Sequence, residues 1–236
     1  MNLDTRFVPD LEEGHKRLSG QPLIHFKSRV AKAAHILEEL TSVGIDPQAP
    51  NKALFAGSGL SFIPYILARH TAWDIFAGDL NASDLYKNAW IRDRINLAHL
   101  DLTAMPYPDN AFDVVVCNHV IEHVPAWEAV ARELYRVVKK GGVVYLATPN
   151  LYRPDAPMNV LWRKKKNVPR HTRIDLHMGF SMPEIEHLLA DFARLDKFNR
   201  THVLINSPAF LRLPLSLVPA RLYDRFAPNN VVIAHK

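Results

Sequence analysis

Cysteine is nearly absent from this 236-residue sequence: Cys117 stands alone, so no disulfide can form within the chain. That thiol sits in the apolar run FDVVVCNH, which fits a reducing cytoplasm. Long apolar runs are missing as well, since none approaches the roughly 18 residues that span a bilayer. The opening residues MNLDTRFVPD hold no apolar signal-peptide core. Neither export nor membrane insertion is expected, and the chain reads as cytoplasmic. Internal repeats and low-complexity tracts are lacking too. Charge of one sign is in small excess, with 29 Lys and Arg against 24 Asp and Glu, a net +5 and a pI near 9.3. Such mild basicity suits an anionic substrate or lipid headgroups, and equally an ordinary basic enzyme. No basic groove interleaved with aromatics and no RNA-binding signature is visible, so a nucleic-acid partner is not expected.

What is present is an ordinary globular composition, 48% hydrophobic and 22% charged. A chain of this length can form one domain over residues 1–236 and bury roughly 70–75% of its unfolded surface. Its organising stretch is 52–150. KALFAGSG (52–59) reads as a short buried strand that breaks into a glycine turn. IFAGD (75–79) and INLAHLD (95–101) read as the second and third strands, ending in Asp79 and Asp101. FDVVVCNH (112–119) and VVYLATPN (143–150) follow as the fourth and fifth. Apolar runs separated by helical patterns indicate parallel strands covered on both faces, a doubly wound α/β sheet. Open sheets of this kind bind ligands at the strands' carboxyl ends, where the polar residues collect here.

The spacing of Val30, Ala33, Ala34, Leu37 and Leu40 predicts a helix over 28–40 stopped at Gly44, preceded by an arm over 1–27. Further helices are expected within 61–70, where Pro64 restricts the start, and over 83–91. Trp127, Val130, Ala131, Leu134, Val137 and Val138 make a helical stripe with Gly141-Gly142 as its stop. Ser181-Met182-Pro183-Glu184 is a capping box, leading a face of Ile185, Leu188, Leu189 and Phe192. NVVIAH (230–235) reads as a terminal strand. Residues 151–180, which hold the basic run RKKKNVPRHTR, show no clear element, and the proline-broken 207–228 reads as a cap packed over the site; both count as insertions.

A glycine turn at a strand end lets backbone approach a ligand, and its N–H groups suit polar or anionic atoms. Asp79 follows about 20 residues later, where a carboxylate can accept bonds from both ribose hydroxyls. Asp101 can accept from an exocyclic amine such as that of adenine. Either aspartate alone is an ordinary turn residue, but the two at successive strand ends outline a nucleotide-cofactor site.

These segments, with PYPDNAFDVVVCNHVIEHV as the most specific, resemble the class I S-adenosylmethionine-dependent methyltransferases, in particular the type 11 methyltransferase domain. The resemblance spans about 30–150 and, more loosely, the capped helix and last strand. It implies a Rossmann-like, mostly parallel seven-stranded sheet with an antiparallel last strand. It also implies S-adenosylmethionine as cofactor, with Gly57, Ser58 and Gly59 against its methionine part and Asp79 on the ribose. Leu80 would lie beside the adenine, Asp101 and Leu102 at the adenine edge, and Asn118 by the sulfonium. The family's segment after the fifth strand commonly contributes to the acceptor site, which makes Arg170, His171 and Arg173 candidate substrate ligands.

There are two departures from the family pattern. Phe55 stands where an acidic residue usually helps organise contacts to the amino acid moiety, and Ser61 where a third glycine is usual. A phenylalanine accepts no hydrogen bond. A nicotinamide enzyme would want Gly-x-Gly-x-x-Gly, but the third position is Phe62. His119-x-x-Glu122-His123 matches an inverted zinc-peptidase pattern, yet the histidines would straddle a strand end and a loop, so no metal is expected. His119 and His123 are instead candidate general bases, and Glu122 reads as a loop residue. The resulting expectation is methyl transfer to a small or lipid-linked, anionic metabolite, with peripheral membrane contact open to 207–228. The alternative is a catalytically silent binding or scaffold protein on the same fold. Oligomeric state is not legible.

Overall fold

The computed structural model describes residues 23–59, 61–81, 94–151, 179–198 and 229–236, with the isolated residues 9 and 227. The strands are β1 (Lys52–Ala56), β2 (Asp74–Asp79), β3 (Asn96–His99), β4 (Phe112–Asn118), β5 (Val138–Pro149), β6 (Arg194–Lys197) and β7 (Asn229–His235). The described helices are α1 (Leu23–Ser42), α2 (Ile63–His70), α3 (Trp127–Val137) and α4 (Met182–Leu188). The seven strands form one sheet in the order β3-β2-β1-β4-β5-β7-β6. All pairs from β3 to β5 are parallel, and β7 runs antiparallel between β5 and β6. Strand order reverses between β1 and β4, which opens a crevice at their carboxyl ends.

The apolar strands are sandwiched because both of their faces are hydrophobic. Ala53, Phe55, Val114 and Val116 join the cluster under α1 and α2, with Leu40, Ile66 and Tyr145. Leu54, Ala56, Val115 and Cys117 point the other way, into the cluster with Leu134, Val137, Leu146 and Ile185 of the opposite layer. Each fully buried Val, Leu or Ile contributes about 1.5–3 kcal/mol relative to an exposed one. Within this core the Tyr145 hydroxyl donates to buried Glu39 at 3.0 Å. Burial, followed by the Glu39 charge, holds that phenol well above its ordinary value.

Several boundaries differ from the sequence expectation. Helix α1 begins at Leu23, inside the expected arm, and Gly44 ends it with φ +97°. Helix α3 stops at Val137, and Val138 is already strand, so Gly141-Gly142 is no helix stop. The pair lies in β5 where its register against β4 slips, from Phe112↔Val138 to Val114↔Val143. Gly141 has φ +78°, and a Cβ on Gly142 would sit 2.7 Å from the Asp113 carbonyl oxygen. The glycines thus let the strand pass Asp113, whose carboxylate pairs Lys139 and accepts the Lys52 N–H. Strand β3 ends at His99, so Asp101 lies two residues beyond the strand rather than at its end. Strand β6 was not expected. The capping box at Ser181 is present, with Glu184 accepting the Ser181 N–H at 2.8 Å.

The edge that holds the crevice also launches the expected insertions. The chain leaves β5 at Leu151 and returns at Gly179, the two ends joined by Leu151 N–H to Phe180 O (3.0 Å) and Phe180 N–H to Pro149 O (2.9 Å). The strands β6 and β7, which flank the second excursion, open at this same edge. The expected helix over 83–91, most of 151–180 and nearly all of 207–228 lie outside the described residues.

Candidate active site

The chain turns sharply after β1. Gly57 and Gly59 have φ of +78° and +48°, a region that side chains disfavour. A Cβ on Gly57 would lie 2.4 Å from Val120 Cγ1, whereas among the described residues a Cβ on Gly59 would meet only Asp79 Oδ2, at 3.7 Å. The first glycine is needed for packing; the second is not crowded by any described side chain. The turn's amides are not free for a ligand. Gly57 and Ser58 N–H both donate to Gly78 O, at 2.9 and 2.8 Å, and Gly59 N–H donates to Asp79 Oδ2 at 2.8 Å. The expectation that these amides meet the ligand's polar atoms is thus corrected, because they clamp β1 to β2. What they do is orient Asp79. Its Oδ1 accepts the Asn81 N–H at 2.8 Å, so the carboxylate is fixed while each oxygen keeps a lone pair.

Leu80, next to Asp79, is 63% exposed. His99 Nε2 lies 3.0 Å from the Leu80 carbonyl oxygen and ties the end of β3 to it. Asp101 is exposed in the turn beyond. Its Oδ1 accepts both the N–H (2.8 Å) and the hydroxyl (2.7 Å) of Thr103, and these bonds hold it below the usual carboxylate range. Leu102 is only 6% exposed and belongs to the core, so its side chain is not at a ligand's disposal. Any ligand contact there runs through its backbone.

A solvent-open cleft of about 310 Å³ sits at the switch point, lined among others by Phe55, Gly57, Ser58, Ser61, Val116 and Asn118. Both departures from the family pattern lie in its wall. Phe55 is buried against α1 and α2, so the wall there is apolar. Ser61 bends the chain into α2: its N–H donates to Ser58 O at 2.8 Å, and its hydroxyl accepts the Ile63 N–H at 3.3 Å.

Beyond Asn118, His119 has φ +56°, rare for a residue with a side chain, and its N–H donates to Ala147 O at 2.8 Å. A short 3₁₀ turn, Ile121–His123, follows. Within it the Glu122 side chain is just 2% exposed, which the reading as a loop residue missed. Its Oε2 accepts the Thr148 hydroxyl at 3.1 Å, and its Oε1 lies 3.5 Å from His119 Nδ1 and 4.0 Å from His123 Nε2. A glutamate between two histidines at a strand's carboxyl end was the available signal. Half-buried Lys32 of α1 also feels this carboxylate: burial lowers its ammonium, Glu122 opposes that, and Arg29 adds to it. Cys117 is pushed up to about 12, first by burial and then by Glu122, so it is no nucleophile near neutral pH. No cluster of three metal-ligating side chains occurs among the described residues. Arg170, His171 and Arg173 lie outside them.

Residues 54–146 match the family described as methyltransferase domain. That stretch, from β1 into β5, is similar to a methyltransferase domain. A Mycolicibacterium smegmatis protein named "Probable S-adenosylmethionine-dependent methyltransferase" is 34% identical over 103 residues, 42% of this chain and 39% of that protein. A demethylmenaquinone methyltransferase of Listeria welshimeri is 38% identical over 63 residues, 27% of this chain and 26% of its own. The chain thus spans well under half the length of these curated relatives. Among solved structures, the Haemonchus contortus phosphoethanolamine N-methyltransferase 2 complex with S-adenosyl-L-methionine superposes with a TM-score of 0.59. It is 14% identical and covers 87% of this chain and 52% of that one, a likeness of fold.

The described site offers groups that suit the nucleoside part of S-adenosylmethionine. The fixed Asp79 suits a ribose, and exposed Leu80 suits a flat base. At Phe55 it offers apolar surface instead of the usual carboxylate. No described helix is long and apolar enough to cross a membrane.

Proposed function

We propose that this protein is a methyltransferase that binds S-adenosylmethionine across the carboxyl ends of β1, β2 and β4 and methylates a small or lipid-linked, anionic metabolite. The observation that supports it most is Asp79, held by the Gly59 and Asn81 amides at the end of β2. In this reading Gly57, Ser58 and Asn118 line the part of the cleft that takes the methionine part. Asp79 holds the ribose, Leu80 lies by the adenine, and Asp101 with the Leu102 backbone meets the adenine edge. When bound, the cofactor supplies a methyl group already activated by positive sulfur. The chain's contribution is alignment and exclusion of water, for which the apolar wall of Phe55 and Val116 suits. His119 and His123 are the candidate bases. Arg170, His171 and Arg173 would hold the acceptor's anionic group. The mild net positive charge favours that class, and the name of the Listeria relative favours a lipid-linked acceptor. The protein would act as one domain in the cytoplasm, with the insertion at 207–228 able to touch a membrane surface.

Phe55 favours a second reading, a silent binding or scaffold protein. Thermal unfolding with S-adenosylmethionine and its demethylated product separates the two. At about 100 times its dissociation constant a ligand adds roughly 2.7 kcal/mol, a rise of about 5–10 °C for a chain of this size. No rise at millimolar ligand supports the scaffold.

A further inference from the structure

We propose that Glu122 is a positioning residue acting through His119, and that the pair takes up the proton of a hydroxyl-bearing acceptor such as a phenol or hydroquinone. The inference rests on the methyl-transfer reading above and names its acceptor class.

The starting point is a charge in the wrong place for a loop. A carboxylate this buried is costly unless hydrogen-bonded and countered. Among the described residues, groups facing Glu122 come from α1, β4, β5 and the segment that follows β4. Helix α1 brings Lys32, with Arg29 beside it, and β4 brings the protonated Cys117. The turn brings His119 and His123, and β5 brings the Thr148 hydroxyl. Nothing in the packing of the sheet requires a carboxylate here, since the adjacent strands are covered by apolar side chains on both faces.

His119 is the second observation. It directly follows Asn118, a residue of the cleft wall, and holds a left-handed conformation that costs about 1–3 kcal/mol. Such strain collects at functional sites because a particular side-chain direction is needed there. Here that direction brings Nδ1 to 3.5 Å from Glu122 Oε1. An ionised carboxylate only accepts, so Nδ1 carries the hydrogen and Nε2 becomes the basic atom. The separation is long for a hydrogen bond, as catalytic pairs often are before the ligands arrive.

The consequence is a preference among acceptors. A carboxylate or a tertiary amine has no proton to lose in accepting a methyl group and gains nothing from this pair. A hydroxyl does. Its oxygen lone pair forms the bond to the methyl carbon, and the electron pair of the broken carbon–sulfur bond remains on sulfur. The hydroxyl proton passes to His119 Nε2. The resulting imidazolium lies against Glu122, which lowers its energy, and it later returns the proton to water.

The test reads the imidazole directly, by proton–nitrogen NMR of ring-labelled histidine with His119 assigned through His119→Gln. The wild-type protein should show His119 as the Nδ1–H tautomer. Glu122→Leu should abolish that preference, and Glu122→Gln, which keeps an acceptor, should retain it. With S-adenosylhomocysteine bound, hydroquinone should shift the His119 ring nitrogens and benzoate should not. An Nε2–H tautomer in the wild type overturns the pairing even if Glu122→Leu fails to fold, as does a tautomer indifferent to that change. No response to hydroquinone, or an equal one to benzoate, overturns the acceptor class. Failure of S-adenosylhomocysteine to bind the wild type would instead strike the methyl-transfer reading itself.

Discussion

Replacing Gly57 by alanine should destabilise the protein through two separable causes. The left-handed backbone at φ +78° costs a residue with a Cβ about 1–2 kcal/mol. The new methyl group would also lie 2.4 Å from Val120 Cγ1 and 2.6 Å from Cγ2, far inside contact, and overpacking of this kind costs about 1–3 kcal/mol. The sum is about 2–5 kcal/mol. Relaxation by moving the turn would stretch the Gly57 and Ser58 bonds to Gly78 O and loosen the Gly59 grip on Asp79. Urea unfolding of Gly57→Ala, Val120→Ala and the double variant separates the causes. Val120→Ala removes the clashing methyls but leaves φ unchanged. The double variant should therefore be more stable than the sum of the single losses, by about 1–3 kcal/mol of coupling, while remaining less stable than Val120→Ala alone. Strict additivity would refute the steric argument. A double variant as stable as Val120→Ala would refute the argument from backbone strain.

Arg136 bridges the loop over 105–109 to α3, donating to Met105 O, Tyr107 O, Asp109 and Glu133. Arg136→Ala should lower stability by about 1–3 kcal/mol in urea unfolding. Its bond, above all, holds the Glu133 carboxylate below its ordinary value. A depressed carboxylate stabilises above its unfolded value, near 4.3, and that share is lost as pH falls through the folded one. Arg136→Ala should accordingly flatten the loss of stability below about pH 4.5, and an unchanged acid limb would count against the network. Cys117, buried and pushed up to about 12, should resist an aromatic disulfide reagent at pH 8 until urea unfolds the chain. Rapid labelling of the native protein would contradict its placement.

The sheet was legible where both strand faces are apolar. KALFA, FDVVVC and VVYLAT are unbroken hydrophobic runs, and no other arrangement buries them as well. Strand β6 escaped because RLDK is short, polar and at the sheet's edge, where pairing with β7 rather than composition makes it a strand. Gly141-Gly142 looked like a helix stop because a glycine pair after an apolar stripe usually is one. Tertiary pairing with β4 turned it into an irregularity of β5 instead. In the site, Gly57, Ser58 and Asn118 do line one cleft, and Asp79 is bound to the turn beside it. Sequence could not tell that the turn's amides face β2, nor that Leu102 points into the core. Glu122 was missed because its burial comes from α1 and β5, both remote in sequence.

The most direct measurement is a calorimetric titration of S-adenosylhomocysteine into the wild-type protein and into Asp79→Asn. Binding at one site per chain is predicted, weakened about 10- to 100-fold by the substitution, since a charged acceptor's hydrogen bonds are worth about 1.5–3 kcal/mol. Binding that Asp79→Asn leaves untouched, or no binding at millimolar ligand, would contradict the assignment of the cleft to this cofactor.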